Sequence, residues 1–182
     1  MRAYSARIAE RDEPFFEAAV ALILRERASG TIDLLLIERA ARDGDPWSGQ
    51  IALPGGRRDR ADASLEDTAV RETQEEVAID LRRDGVMVGV LDELRPRTPV
   101  LPPVLVRPFV ATVPEHVEAR VSIEVAAAFW APLDELLAPA ATRDTDITVR
   151  DFRTRRPAIH YNGRVIWGMT ERILANFRSL VP

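Results

Sequence analysis

The sequence has no cysteine, no lysine and only two histidines, His116 and His160, among 182 residues. Without cysteine there are no disulfides, no thiolate metal sites and no cysteine nucleophile, an absence that suits a reducing compartment. Two histidines are too few for a histidine metal site, and each reads as a surface or hairpin residue. Nothing approaches the run of about 20 apolar residues that a membrane-spanning helix needs. The opening MRAYSARIAE also lacks the apolar core of a signal peptide. A cytoplasmic protein with no membrane partner is therefore expected. A net charge of −4 supplies no global basic field, and no basic stripe with interleaved aromatics is present. Nucleic acid is accordingly not an expected partner.

What is present is an ordinary globular composition, 46% apolar and 30% charged. One domain over residues 1–182 is expected, with 1–14 as an N-terminal extension or short helix ending at Pro14. All 25 basic residues are arginines, planar donors suited to phosphate. An acidic chain can still act on phosphates through a local site.

The stretch Leu53–Asp80, LPGGRRDRADASLEDTAVRETQEEVAID, organises the rest. A glycine-punctuated turn leads into a helix expected over Leu65–Ile79, with Ser64 as N-cap and Asp67 three positions on as a weak capping box. On a helix, Ala69, Val70, Thr73 and Val77 share the face to be buried. Glu72 and Glu76 fall one turn apart at its edge, and Arg71 and Glu75 lie further toward solvent. Carboxylates bordering a buried stripe lose hydration and repel one another unless a cation compensates them. Glu72 and Glu76 can reach one hard divalent ion together, with Glu75 and water completing an oxygen shell of the kind Mg²⁺ prefers. The plainer alternative is an Arg71–Glu75 ion pair on a charged helix.

Leu53-Pro54-Gly55-Gly56 followed by Arg71-Glu72-Thr73-Gln74-Glu75-Glu76-Val77-Ala78-Ile79 resembles the Nudix box, the loop–helix signature of the Nudix hydrolase superfamily. The Arg-Glu-x-x-Glu-Glu core matches, with three departures. Ala63 stands where the first glutamate of the box falls, beside Asp62, so the loop carboxylate is open between Asp59 and Asp62. Thr73 replaces an apolar residue and Ala78 the second glycine. The resemblance implies an α/β/α sandwich on a mixed central sheet. It also implies an Mg²⁺- or Mn²⁺-dependent enzyme that cleaves a nucleoside diphosphate linked to another group, by water attack at phosphorus. In that reading Glu72 and Glu76 hold the metal, Glu75 is ligand or base, and Arg71 orients a glutamate. Gly55 and Gly56 let backbone approach the site. A glutamate just before a late strand, Glu124 ahead of Glu118 on position, is implied as general base or further ligand.

The flanking elements fit that plan. Phe16–Leu24 and Ile32–Ile37 read as buried strands of a hairpin, and Gln50–Leu53 as a short strand delivering the box. Val86–Leu91, Val104–Val113 and Val125–Trp130 read as further strands, with Pro108 pointing to an edge or a bulge. Pro132–Leu137 reads as a short helix. Thr148–Phe152 is a candidate strand in a polar segment, Asn162-Gly163 a hairpin turn, and Met169–Leu180 the last helix. Candidate substrate contacts are Arg39 at a strand end, Trp47 as a stacking ring or an edge seal, and Arg95 and Arg97 in a proline-stiffened loop.

Within the superfamily, Arg39, Gly49 to Gly56, the Asp59-x-x-Asp62 pair and Ile166-Trp167-Gly168-Met169-Thr170 look like the coenzyme A pyrophosphatase group. That group carries an arginine and a histidine before the glycine, where this chain has Asp45 and Trp47, and Leu53 replaces its usual Phe. Coenzyme A or its thioesters is the first expectation, ADP-ribose or another dinucleoside-type substrate the next. A catalytically silent ligand-binding module is the reading from another class, against which the three intact glutamates argue. A homodimer stays open as an assembly.

Overall fold

The computed structural model describes residues 4–12, 14–42, 47–96, 103–149 and 152–181. The two apolar runs form β1 (Phe16–Glu26) and β2 (Ile32–Arg39), an antiparallel hairpin that pairs Leu24–Glu26 with Ile32–Leu34. Leu22, Leu34 and Leu36 enter one core, while Ala21, Ile23, Leu35 and Ile37 enter another on the opposite face. A strand buried on both faces shows water no polar side, which is why its sequence is unbroken apolar.

Beyond that pairing the two strands part. The gap is filled by β3 (Ile51–Ala52), laid against the end of β2, and by β4 (Gly55–Arg57), laid against Ala18–Val20 of β1. Leu53-Pro54 crosses between them, and the Ala21 N–H donates to the Pro54 carbonyl at 2.8 Å. The splayed hairpin thus holds the glycine turn inside the sheet. β4 is three residues of Gly-Gly-Arg and nothing in its sequence announces a strand.

β5 (Val86–Val90) and β6 (Val104–Val113) extend the sheet past β1, and β7 (Val125–Pro132) pairs with the far side of β2. The β1–β6 ladder is parallel and the others antiparallel, so the central sheet is mixed, as expected. β6 is not an edge strand. Pro108 lies between β1 and β5, in register with Val20, and its carbonyl accepts from Leu91 just where β5 ends. Its missing N–H thus falls where the ladder is running out, and the irregularity is carried by β5 between Met87 and Gly89.

One face is covered by α1 (Leu65–Val77) and the short α2 (Leu81–Asp84), whose Val77 and Leu81 join the core of Ile23 and Leu35. The other face carries α3 (Leu133–Leu137), α4 (Met169–Arg178) and a three-stranded antiparallel sheet of β8 (Thr142–Val149), β9 (Phe152–Tyr161) and β10 (Arg164–Trp167). Leu136, Ile159, Ile166 and Ile173 pack there with Leu22 and Leu36. The β8 and β9 strands run far beyond the strand expected at Thr148–Phe152 and the hairpin arm expected at Ile159–Tyr161. Of β8 only Ile147 is buried, so the strand lacks the apolar alternation by which strands are recognised. Asn162 and Gly163, both at positive φ, make the turn between β9 and β10 as the dipeptide predicts. No helix among the described residues is long and apolar enough to cross a membrane.

Ser64 caps α1 as expected, accepting from the Asp67 N–H at 3.1 Å and donating to the Asp67 carboxylate at 2.8 Å. The helix ends at Ala78, which sits in the left-handed region at φ 57° while its N–H closes on the Gln74 carbonyl. That is the position where the Nudix box has glycine, and alanine there carries Cβ strain. Ala78→Gly is therefore expected to stabilise the protein by roughly 0.5–1 kcal/mol. Thermal denaturation checks it, as a rise in Tm of about 1–4 °C.

Residues 4–12 form no regular element and lie along the start of the 92–96 loop. The Asp92 carboxylate accepts from the Tyr4 hydroxyl (2.6 Å), the Arg7 N–H (2.8 Å) and Arg7 Nε (2.7 Å). Burial beside that carboxylate pushes the Tyr4 hydroxyl up to about 12. Glu93 is gripped by Arg107 and Arg11 and accepts from the Ala9 N–H at 2.9 Å.

Candidate active site

α1 and β4 build the site between them. Ala69 and Leu65 anchor the helix on Ala19 and Phe109, and Val77 anchors its far end. Buried along that face are also Thr68, Thr73 and Glu76, whereas Val70 is only half-buried. Glu76 is 4% exposed, deeper than the edge position expected, and its carboxylate accepts from the Gly55 N–H at 2.8 Å. Burial pushes it up to about 7, helped by the neighbouring charges of Glu72 and Glu124 and opposed by Gly55 and by Arg39. Glu72, half-buried, is also raised by burial, against the pull of Arg71.

The glycines shape the floor. A Cβ on Gly56 would lie 2.5 Å from the Glu72 carboxylate, and one on Gly55 would meet the Val20 backbone at 2.6 Å. Gly55, at φ 148°, has no freedom to yield, since its obstacle is backbone. Gly56 faces the movable end of a side chain. Gly56→Ala is thus expected to leave Tm within about 2 °C of the parent while displacing Glu72, and misplacement on the order of 1 Å costs about a hundredfold in turnover. Steady-state kinetics beside a melting curve separates the two effects.

Arg71 is the hub. Its Nε and Nη2 form a two-pronged pair with Asp62, each at 3.0 Å, and Nη2 also donates to the Arg57 carbonyl. Nη1 reaches Glu72 at 2.9 Å and Glu75 at 3.0 Å. Asp62, only 8% exposed, further accepts from the Asp59 N–H and the Thr68 hydroxyl. With Arg71 as the main cause it is held down at about 2. Of the two loop carboxylates left open by the sequence, it is Asp62 that meets Arg71. Asp59 instead turns the loop, accepting from the Ala61 N–H.

Of the remaining candidates, some lie near this core and others do not. Arg39 ends β2 on the α1 side, where its charge is felt by Glu76. Just beyond it the Ala40 N–H donates to the Glu124 carbonyl at 3.0 Å, which brings the loop before β7 over the strand end. The Glu124 carboxylate pairs with Arg42 at 2.7 Å and lies close enough to raise both Glu72 and Glu76. Glu118 sits elsewhere, 3.7 Å from Arg25 near the β1–β2 turn, at the other end of β1 from the glycines. Arg95 is nearly buried and engages the N-terminal segment, donating to the Glu10 carbonyl at 2.8 Å and pairing with Asp12. Arg97 lies outside the described residues. Trp47 packs on Trp167, ring centroids 6.2 Å apart.

Arg42 is the residue that sequence reasoning misses. Its one signal would be knowledge that residue 40 pairs with residue 124, which only the folded chain supplies.

The donor set suits a hard divalent cation. Glu72 and Glu76 are neighbouring carboxylates raised by burial, so a cation relieves both, and Gly56 leaves open the space beside Glu72 that a Cβ would fill. Among the described residues no three acidic or histidine groups converge as they stand. Arg71 reaches between Glu72 and Glu75, and their carboxylates would have to turn from it to share an ion.

The NUDIX domain family model matches residues 15–152. The Nudix hydrolase NudL of Citrobacter koseri is 37% identical over 159 residues, 87% of this chain and 79% of that protein. A Schizosaccharomyces pombe protein is 46% identical over 110 residues, but the chain spans only about a third of its length, 33%. Among solved structures, a Caenorhabditis elegans Ap4A hydrolase in binary complex superposes with TM-score 0.61 at 17% identity, covering 91% of this chain and 96% of that one. The NUDIX domain of Shewanella oneidensis NrtR, complexed with ADP ribose, gives TM-score 0.54 at 21% identity, covering 69% and 77%. These two likenesses are of fold. Matched by the family model over most of its length, and covering more than two thirds of a NudL relative at over 30% identity, the chain belongs to the Nudix hydrolases, a family of pyrophosphohydrolases.

Proposed function

We propose that the chain is a metal-dependent cytoplasmic hydrolase that cleaves the pyrophosphate bond of a nucleoside diphosphate derivative, with coenzyme A or its thioesters as first candidate. The observation that carries the reading is the pinned helix. Asp62 and Thr68 fix Arg71 from behind, and Glu72 and Glu76 are presented against the Gly55–Gly56 backbone.

Glu72 and Glu76 would hold Mg²⁺ or Mn²⁺, with Glu75 as a third ligand or as base. When bound, such an ion would neutralise the diphosphate oxygens and lower the pKa of attacking water. Arg71 orients Glu72 and Glu75, Arg39 faces the incoming phosphates, and Glu124 stands where it can accept the proton released by water. Arg42, 2.7 Å from Glu124, would hold that carboxylate in place. Arg95, Arg97 and Trp47 remain candidate substrate contacts. ADP-ribose or another nucleotide sugar or dinucleotide is the second reading, favoured by Asp45 and Trp47 standing where the coenzyme A group has two basic residues. A homodimer is compatible with either.

The test is product release with Mg²⁺ or Mn²⁺ across coenzyme A, ADP-ribose, NADH, diadenosine polyphosphates and nucleoside triphosphates, with Glu76→Gln as control. Preferential coenzyme A cleavage, lost in the variant, supports the whole reading. Preference for another pyrophosphate keeps the site and replaces the substrate. No turnover of any of them sinks the enzyme reading in favour of a binding module.

A further inference from the structure

The end of β2 is straddled by two different environments. Successive side chains of a strand point to opposite faces. Arg39 emerges on the α1 side, where its charge is felt by Glu76. Glu38 emerges on the other, 3.8 Å from Arg164 of β10. A substrate that places its diphosphate against the glutamates and runs over this strand end therefore meets the β10 side next.

Trp47 and Trp167 stand there. The Trp47 loop is tied back to the strand end: the Gly49 N–H donates to the Arg39 carbonyl at 3.0 Å and the Gln50 N–H to the Trp47 carbonyl at 3.2 Å. The Ser48 hydroxyl brackets Arg42, accepting from its N–H at 2.9 Å and donating to its carbonyl at 3.0 Å. Trp167 is the last residue of β10, fixed where Gly168, at φ 72°, turns the chain into α4. The two indoles lie 6.2 Å apart, tilted by 49°, and both are half-buried rather than sealed in. Neither belongs to any of the three hydrophobic cores, whereas Trp130 packs against one of them. Two large rings placed side by side at the rim of the site, outside every core, offer π-faces on which a planar ring stacks.

We propose that the Trp47–Trp167 pair is the subsite that receives the planar base of the substrate, the substrate crossing the end of β2 from the carboxylates to the indoles. This rests on the pyrophosphohydrolase reading above, and it makes the base, rather than the group on the other side of the diphosphate, the part that the indoles select.

Intrinsic fluorescence of the whole protein tests it, because the chain has only three tryptophans. Trp130 lies under the Arg25 guanidinium at 4.1 Å, near the β1–β2 turn, and serves as the internal control. Adenosine monophosphate is expected to quench the emission of the metal-free protein, and ribose 5-phosphate not to. Trp167→Leu and Trp47→Leu should each remove most of that quench and raise KM about tenfold with little change in kcat, while Trp167→Phe retains near-parent KM. Adenosine monophosphate quenching that is equal in parent and both leucine variants overturns the subsite, as does a Phe variant as impaired as the Leu one. Glu76→Gln should show the same adenosine monophosphate quench as the parent. If the parent turns over no pyrophosphate, the functional reading fails separately, and the quench still decides the base site.

Discussion

Glu76→Gln is expected to lower kcat/KM by about three orders of magnitude. Glutamine keeps the length of the side chain and an oxygen to accept the Gly55 N–H, so the fold should survive. What is lost is one anionic charge beside the proposed metal. Losing charge stabilisation of about 4 kcal/mol at the transition state corresponds to that factor. A Glu76 that contributed only shape would lose no more than a few-fold. The same substitution should raise the stability of the metal-free protein at neutral pH, because the parent has to bury a carboxylate that burial raises from 4.5 to about 7. The sign follows from linkage. A carboxyl whose folded pKa exceeds its unfolded value binds its proton more tightly in the native state. Metal-free protein should therefore gain stability from this group as pH falls from about 7 toward 4.5, by up to about 3 kcal/mol. Denaturant titrations at pH 8 and pH 5, with chelator present, should show the gain in the parent and not in Glu76→Gln. Equal behaviour of the two proteins would mean that Glu76 is not the strained charge of the site.

Asp62→Asn is expected to cost about 3 kcal/mol of stability. Asparagine still fits and still accepts from Thr68, but it removes the buried anion on which two guanidinium nitrogens of Arg71 rest. Breaking one side of a buried pair leaves the other charge poorly compensated, which costs more than the pair contributes over neutral groups. Glu72 and Glu75 retain part of the attraction, which keeps the figure at the low end. For a chain of this size the midpoint should drop by roughly 6–12 °C. Since Asp62 is held down near 2 from 3.8, its stabilisation is present above the unfolded pKa and lost as pH falls from about 4 through 2. The parent should show that acid limb and the variant should not. A variant that melts within a degree of the parent would show that Arg71 is held by its other partners alone. Turnover should fall as well, because a released Arg71 no longer fixes Glu72 and Glu75.

These two residues show how unevenly the site could be read in advance. Local order determined the helix from Leu65, its Ser64 cap, the burial of Ala69 and Val77, and the pairing of Glu72 and Glu76, because residues one turn apart must share a face. The strands β1 and β2 were equally plain, their burial on both sides leaving unbroken apolar runs over Ala18–Leu24 and Leu34–Ile37, and β6 was nearly so, with Arg107 and Thr112 as its breaks. The turn at Asn162-Gly163 belongs with these, being the demand of one dipeptide.

What only the tertiary structure decided is everything that depends on distant segments meeting. The parting of β1 from β2, and the lodging of Gly55–Arg57 between them, has no local signal, and it alone sets the glycine backbone against Glu76. Asp59 and Asp62 are equivalent in the sequence until the loop closes and one of them reaches Arg71. Position ranks Glu124 ahead of Glu118, but only the pairing of Ala40 with Glu124 brings the first to the strand end and leaves Glu118 beside Arg25. Arg95 reads in the sequence as a residue of a loop beside the site, and only the fold brings it to Glu10 and Asp12. Sequence fixes which chemical groups are available over one or two turns of chain. Which of them share a site is set by non-local pairing of strands and by the burial that makes a misplaced charge costly.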